Sequence, residues 1–370
     1  MNRSPLMKSR LLGSLAVAVS YAAFTVAPAY AEGFTLSAPP KIAMIYFDSK
    51  TDGGWTQAFD EARPKIEAAL KQKDIPFVEK VAEDAAQIRP AAEKFISRGY
   101  NIIIGTAFGY SDTFKELAAK YPKVAFLDAS GTVNGPNLQS FYGRTYQSQY
   151  LCGMAAAAAS KTGKLGFVAA NPFGPVIWTV NAFEMGAQKI KPDATTTVVY
   201  TGAWNNPVKE RAATTALIDQ GDEVIGQHVD TPTPQVVAQE RGVYGTGHHR
   251  DMRQFAPKAT VCSSVWTWDK YLIPELKKVE AGNWVTEPYG SFPGMDEGGT
   301  DIACCGPAVP KADVDKIMAA RAAIISGKEK IYAGPLDDQT GKQRVAAGSV
   351  LSDADLWKMD WYVKGVIAQK

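Results

Sequence analysis

The sequence predicts an α/β protein of two doubly wound, parallel-sheet lobes, and three observations carry that prediction. Apolar runs of strand length alternate with stretches of helical period along most of the chain, the order that puts helices on both faces of a parallel sheet. The alternation completes one set and then starts again near residue 147. Roughly 339 residues remain beyond an N-terminal leader, more than one hydrophobic core usually holds.

In the first set, "KIAMIYF" (41–47) reads as a strand and is followed by a helix over 56–71. "PFVEKVA" (76–82) is followed by a helix over 85–98, and "NIIIGTAF" (101–108) by one over 112–120. "KVAFLDAS" (123–130) closes the set. The second set opens with a helix over 147–160, then "KLGFVAA" (164–170), a helix over 176–190 and "TTTVVYTGA" (195–203). A helix over 207–220, "EVIGQHV" (223–229), a helix over 234–241 and a short strand near Val243 come next. "ATVCSSV" (259–265) and a helix over 270–281 end the regular alternation.

The leader sets the compartment. Arg3, Lys8 and Arg10 precede an apolar segment from Leu11 to about Val26, and Ala29 and Ala31 supply the small residues of a cleavage site. Residues 1–31 therefore read as a secretory signal, and the expected location is the periplasm. No other stretch approaches the roughly 20 apolar residues that a membrane span needs. Removing the leader takes three basic and no acidic side chains, which moves the net charge from +2 to −1. That near neutrality, without long runs of one sign, argues against a nucleic-acid partner.

Four cysteines remain: Cys152, Cys262, Cys304 and Cys305. An exported protein can hold a disulfide, and Cys262 paired with one of the adjacent two is the expected bridge, because both segments read as strands. Cys152 sits among small helical residues and reads as a buried free thiol. No Cys-x-x-Cys or His-x-x-x-His spacing occurs, so neither a metal nor another cofactor is expected.

In doubly wound sheets ligands lie outside the carboxyl ends of the strands. The loops at those ends are "DSKTDGGW", "TAFGYSD" and "ASGTVNGPN" in the first set, and "NPFGPVIW", "GAWNNP", "HVDTPTP" and "GTGHHRDM" in the second. They are rich in aromatic, amide, imidazole and carboxylate side chains, which suit a flat, uncharged, nitrogen-bearing ligand. Trp55 follows a Gly-Gly turn and Trp204 lies past a strand end, so both read as binding residues. Thr106, Asn171, His228, Asp230 and Asp251 are the candidate hydrogen-bonding groups. Phe108 and Trp266 are also candidates, although core packing is the better reading for them, as for Trp178 and Trp268. His248 and His249 point in different directions as neighbours and read as an exposed polar loop. The carboxylate pairs Asp60/Glu61 and Asp337/Asp338 read as solvated surface, and no general acid/base pair stands out.

"DGGWTQAFDEAR", "GTAFGYSDTFKELAAKYP", "FYGRTYQSQYLCGMAAA", "VNAFEMGAQ", "VVYTGAWNNPVKE", "VIGQHVDTP" and "MDWYVKGVIA", in this order, resemble the basic membrane protein family of ABC-transporter substrate-binding components, which includes purine nucleoside receptors. The resemblance implies a type I periplasmic binding fold joined by a hinge. It places residues 41–144 with 266–300 in an N-terminal lobe and 145–265 with 301–370 in a C-terminal lobe, with crossovers near Arg144, Val265 and Thr300. It also implies a purine nucleoside or free purine base stacked between Trp55 and Trp204, with Asp251 where nucleoside receptors hold ribose, and the transporter's membrane subunits as partners of a monomer. Two departures favour a free base without ribose, adenine-like. The first loop lacks the family's acidic pair with its Ser-Phe-Asn sequence, and "SSVWTWDK" carries Trp266 and Trp268 near the position of a family lysine. Two other functions remain open at this point: an exported nucleoside hydrolase, and a receptor that signals to a chemosensor.

Overall fold

A computed structural model describes residues 33–368; the secretory signal expected over residues 1–31 lies outside the described residues. The first sheet is parallel, in the order β2-β1-β3-β4-β5. Its strands are β1 (Ile42–Ile45), β2 (Phe77–Val78), β3 (Ile102–Gly105), β4 (Ala125–Ala129) and β5 (Leu138–Phe141). The β-branched and aromatic side chains of β1, β3, β4 and β5 are buried along their whole length, as both faces carry helices. Those helices are α1 (Trp55–Leu70), α2 (Ala85–Ile96) and α3 (Ser111–Lys120). The predicted α/β class and parallel order are therefore present.

The chain then crosses through residues 142–144 into α4 (Thr145–Ala159), whose alanine-rich face lets it lie deep against the second sheet and α5 (Gly174–Ile190). The second sheet holds seven strands in the order β11-β10-β9-β8-β6-β7-β14. These are β6 (Lys164–Ala169), β7 (Thr195–Tyr200), β8 (Val224–His228), β9 (Tyr244–Gly247), β10 (Thr260–Trp266), β11 (Thr300–Cys304) and β14 (Val366–Ala368), with α6 (Pro207–Asp219) and α7 (Thr233–Glu240) among the connections. Only β11 runs antiparallel to its neighbour in this sheet. After β10 the chain returns to the first lobe as α8 (Trp268–Ala281), where Trp268 stacks on Phe59 of α1 with ring centroids 4.8 Å apart. Residues 291–293 then run back beside the first crossing, the amide N–H groups of Tyr142 and Arg144 donating to the carbonyls of Ser291 and Pro293 at 3.0 Å. The helix α9 (Lys311–Ile325), a small hairpin of β12 (Leu336–Asp337) and β13 (Gln343–Val345), and α10 (Asp353–Trp357) complete the second lobe.

One sequence expectation is corrected here. Cys262 does face Cys304 across the β10–β11 pair, yet the disulfide joins Cys304 to Cys305. The Cys262 thiol instead points into the core, where its Sγ lies 3.4 Å from that of Cys152. Both are buried free thiols, and burial pushes the Cys152 thiol well above its ordinary pKa, ahead of the effect of its neighbour.

Candidate ligand-binding site

Residues that follow the carboxyl ends of strands from both sheets enclose about 540 Å³ of empty space, part of it open to solvent. The first lobe contributes Phe47 after β1, Trp55 at the start of α1, and Thr106 and Phe108 after β3. The second contributes Phe173 after β6, Trp204 after β7, His228 and Asp230 at the end of β8, and His249 after β9. Tyr142 enters from the first crossing and Trp357 from α10.

The segment "TDGGW" shows how local chemistry builds one wall. Asp52 caps α1: its Oδ1 accepts from the amides of Gly54 and Gln57 at 2.8 and 3.0 Å, and its Oδ2 from Thr56 at 2.8 Å. Gly53 turns the chain at φ 86°, a left-handed conformation that glycine adopts without strain. Gly54 then lies flat against the other lobe, so close that a Cβ there would stand 1.9 Å from the carbonyl oxygen of Asp230. Trp55 is thereby delivered to the cavity with its indole N–H donating to the carbonyl of Thr106 at 2.7 Å. Burial, with the charge of Asp230 across the gap, raises Asp52 to a pKa of about 6 despite its three backbone hydrogen bonds.

A chain of hydrogen bonds forms the opposite wall. The indole N–H of Trp266 donates to Nδ1 of His249 at 2.8 Å. An indole nitrogen can only donate, so Nδ1 carries the lone pair and Nε2 carries the proton. Nε2 in turn lies 3.0 Å from Oδ1 of Asp230, which fixes that carboxyl toward the cavity. The Asp230 amide donates to the carbonyl of Trp204 at 2.8 Å, tying two cavity residues together. His249 holds φ 72°, a left-handed backbone that non-glycine residues seldom adopt, and such strain persists where surrounding bonds enforce it. Burial, followed by the carboxylates of Asp48 and Glu83, pushes Asp230 well above the ordinary carboxylate range.

All three histidines of the chain gather here. The ring centroids of His228 and His248 are 4.3 Å apart, and those of His248 and His249 are 4.1 Å apart. His248 and His249 are buried, which corrects the expectation of an exposed loop. The physical reason is position: the carboxyl end of β9 opens into the cleft between the lobes, where Gln149 reaches His248 Nδ1 at 3.0 Å. Burial holds His249 at a pKa of about 3, and burial with neighbouring imidazoles holds His228 and His248 well below their usual value. The unfolded chain takes up these protons near pH 6.5 and the folded chain does not. Their contribution to stability is therefore full above that pH and is lost as pH falls below it. The expected result is that all three imidazole carbon NMR signals stay flat from pH 8 to pH 5; a signal titrating near 6.5 would place that ring in water.

Six of the nine candidate residues line the cavity: Trp55, Thr106, Phe108, Trp204, His228 and Asp230. Three do not. Asp251 starts a short turn of helix and pairs with Arg253, its Oδ1 2.8 Å from Nε. Asn171 accepts through its backbone carbonyl from Phe173 at 3.0 Å. Trp266 acts from behind through His249, with Trp268 stacked on it at 4.4 Å. Phe108 departs from its core reading: it is 47% exposed at the rim, whereas Trp178 and Trp268 are buried in the core. Tyr142, Phe173 and Trp357 line the cavity without having been singled out in the sequence, and His249 lines it although the sequence reads it as exposed loop. Phe173 and His249 do lie in the loops that the strand-end rule gathers, while Trp357 follows the last regular βα unit and had no such signal.

With this geometry in place, known proteins can be set beside it. The model of the family described as "ABC transporter substrate-binding protein PnrA-like" matches residues 40–334. A purine-binding protein of Brucella abortus, BAB2_0673, is 35% identical over 329 residues, covering 88% of this chain and 92% of its own. A candidate ABC transporter glucose-binding protein of Haloferax volcanii, TsgA13, is 30% identical over 82% of this chain and 75% of its own. Among solved structures, a transcriptional activator of the comK gene from Bacillus halodurans superposes with a TM-score of 0.68 at 21% identity, over 78% of this chain and 99% of that one. A solute-binding protein of an ABC transporter from Conexibacter woesei does so at 0.65 and 19% identity, over 78% of this chain and 97% of that one. These two share the fold. The extent of the family match and the identity to the Brucella protein show that the chain belongs to the PnrA-like family of ABC-transporter substrate-binding proteins.

Proposed function

We propose that this chain is the exported receptor of an ABC importer and that it captures a purine base, adenine-like, between its lobes. The observation that carries the reading is the wall of the cavity: seven Phe, Tyr and Trp side chains line it, and no Lys or Arg does. Aromatic faces suit a flat ring, and each stack on a base is worth about 1–3 kcal/mol. An anionic ligand would meet Asp230 and Glu83 with no counter-charge in the lining. Asp230 commits Oδ1 to His249, and among the described residues no donor is assigned to Oδ2. A ligand N–H donating to Oδ2 stabilises the ionised carboxyl that burial alone disfavours, and in that form the site takes an exocyclic amine in preference to a carbonyl. The position of Asp251, held by Arg253 outside the cavity, supports a ligand without ribose. The name of the Brucella relative, a purine-binding protein, supports the purine class.

Trp55 and Trp204 stand on different lobes, so a ligand between them binds most tightly when the lobes are together. That differential affinity drives closure, and the membrane subunits of the transporter read the closed form. Calorimetric titration with adenine, guanine, hypoxanthine, xanthine, urate, adenosine and glucose tests the reading. Adenine should bind at micromolar strength or better, about −8 kcal/mol, with the oxidised purines at least about tenfold weaker. Adenosine incubated with concentrated protein should be recovered intact; its cleavage would favour a hydrolase. Tight binding of glucose with no response to any purine would overturn the ligand class and leave the fold standing.

A further inference from the structure

The family match stops at residue 334, but the second lobe is not finished there. Residues 335–368 run over it as a strap that carries the β12–β13 hairpin, α10 and β14, the last lying beside β7 at the edge of the sheet. The strap is fastened at several points. Asn181 of α5 donates to the carbonyl of Trp361 at 2.9 Å and accepts from the amide of Val363 at 3.0 Å. The hydroxyls of Tyr200 and Tyr362 meet at 2.6 Å. Arg144, at the first crossing between the lobes, pairs with Asp353, with Nη2 3.0 Å from Oδ2. Ser352 and Asp355 cap the start of α10 reciprocally.

The product of these fastenings is the placement of Trp357. Its ring lies 5.3 Å from Phe292, 5.5 Å from Trp178 and 5.8 Å from Tyr142. One side of it lines the ligand cavity. It also lines a second, smaller cavity with about 200 Å³ of empty space, bounded by Arg144, Tyr146, Trp178 and Phe292. Tyr142 and Trp357 are the two residues that both cavities share. Trp357 therefore borders both spaces, the smaller of them narrow and partly open to solvent.

We propose that Trp357 is a ligand-contacting wall that sets the size limit of the site, confining it to an unsubstituted base. The proposal rests on the purine reading above. Removing the indole joins the ligand cavity to the one behind it and gives a ring substituent somewhere to go, while a bare base loses an aromatic contact.

The test is calorimetric titration of the full-length parent, Trp357→Ala and Trp357→Phe with adenine and with adenine carrying an ethyl group at N9, N6 or C8 in turn. The readout is the affinity for each substituted purine relative to adenine. Trp357→Ala should raise that ratio at least tenfold for one position or more, with Trp357→Phe in between. A ratio unmoved at every position overturns the proposal even if adenine itself binds less well, because general loosening weakens all four ligands together. Thermal melting of the free proteins shows whether the alanine variant folds; if it does not, the phenylalanine variant must raise the ratio at least threefold, and its failure to do so overturns the proposal equally. A parent that binds no purine removes the purine reading and this proposal with it. A parent that binds adenine, beside variants of unmoved ratio, removes this proposal alone.

Discussion

Gly54→Ala should abolish tight binding while leaving the free protein as stable as its parent. The Cβ it adds would stand 1.9 Å from the carbonyl oxygen and 2.7 Å from the carbonyl carbon of Asp230, both backbone atoms of the opposite lobe that cannot rotate away. The lobes must part to admit it. Once apart, the Asp230 atoms that crowd a Cβ at residue 54 are gone, and the amide that Asp52 caps is retained. Other contacts across the gap separate with it, including the 2.6 Å bond from Asn205 to Asp48 and the pairing of Arg250 with Glu61. A ligand that needs both lobes then keeps only one of its walls, and the expected loss is about 100-fold or more, about 2.7 kcal/mol. Two measurements check it. The melting temperature without ligand should be unchanged, and the rise in melting temperature that adenine gives the parent should be absent. Parental affinity in this variant would mean that the site works without the lobes meeting at this turn.

Trp55→Ala and Trp204→Ala should both weaken binding by about 5- to 150-fold, the equivalent of one lost stack, but they should differ in stability. Trp55 is nearly buried. It meets Phe59, Trp266 and Trp268 edge to face at 5.1–5.8 Å and donates to Thr106. Its truncation opens a void in that aromatic cluster and should cost about 3–5 kcal/mol in urea unfolding. Trp204 is half-buried and packs mainly on Phe173, at 5.5 Å, so its loss should cost about 1 kcal/mol. A Trp204→Ala protein that binds adenine as the parent does would remove the second jaw of the clamp. If Trp55→Ala lost stability alone, its indole would be a structural part of the first lobe.

The βα alternation was legible because buried parallel strands leave continuous apolar runs such as "NIIIG", and because glycines and prolines punctuate them. β5 escaped notice: "LQSF" carries polar residues that hydrogen bonds satisfy inside the fold, as when Ser140 reaches Asn134. The strap after residue 334 showed no strand or helix signal for a different reason, although its closing "MDWYVKGVIA" carries part of the family resemblance. Its strands are only two or three residues long, and they are held by partners far away in sequence such as Asn181 and Tyr200. In the site, Trp55, Trp204 and Asp230 could be found from the strand-end rule alone. His249 lies in one of the same loops, but its burial in the wall could not be read, because polarity says nothing of burial until Trp266 and Asp230 are known to satisfy both ring nitrogens. Cys304 was misread because strand pairing brings Cys262 opposite it, and proximity across a sheet did not decide which thiol would be oxidised.

The three crossings of the chain between its lobes have a consequence for the order in which the protein can be made. The first sheet is complete once Phe141 has been synthesised, but Trp268, the ring that covers Phe59 and Trp55, belongs to a helix that emerges only after all of β6–β10. Until then Phe59 has Trp55 and Phe141 beside it but lacks the ring that stacks on it. Contacts so distant along the polypeptide slow folding, and the earlier lobe cannot close its aromatic cluster until α8, which begins at Trp268, has been made.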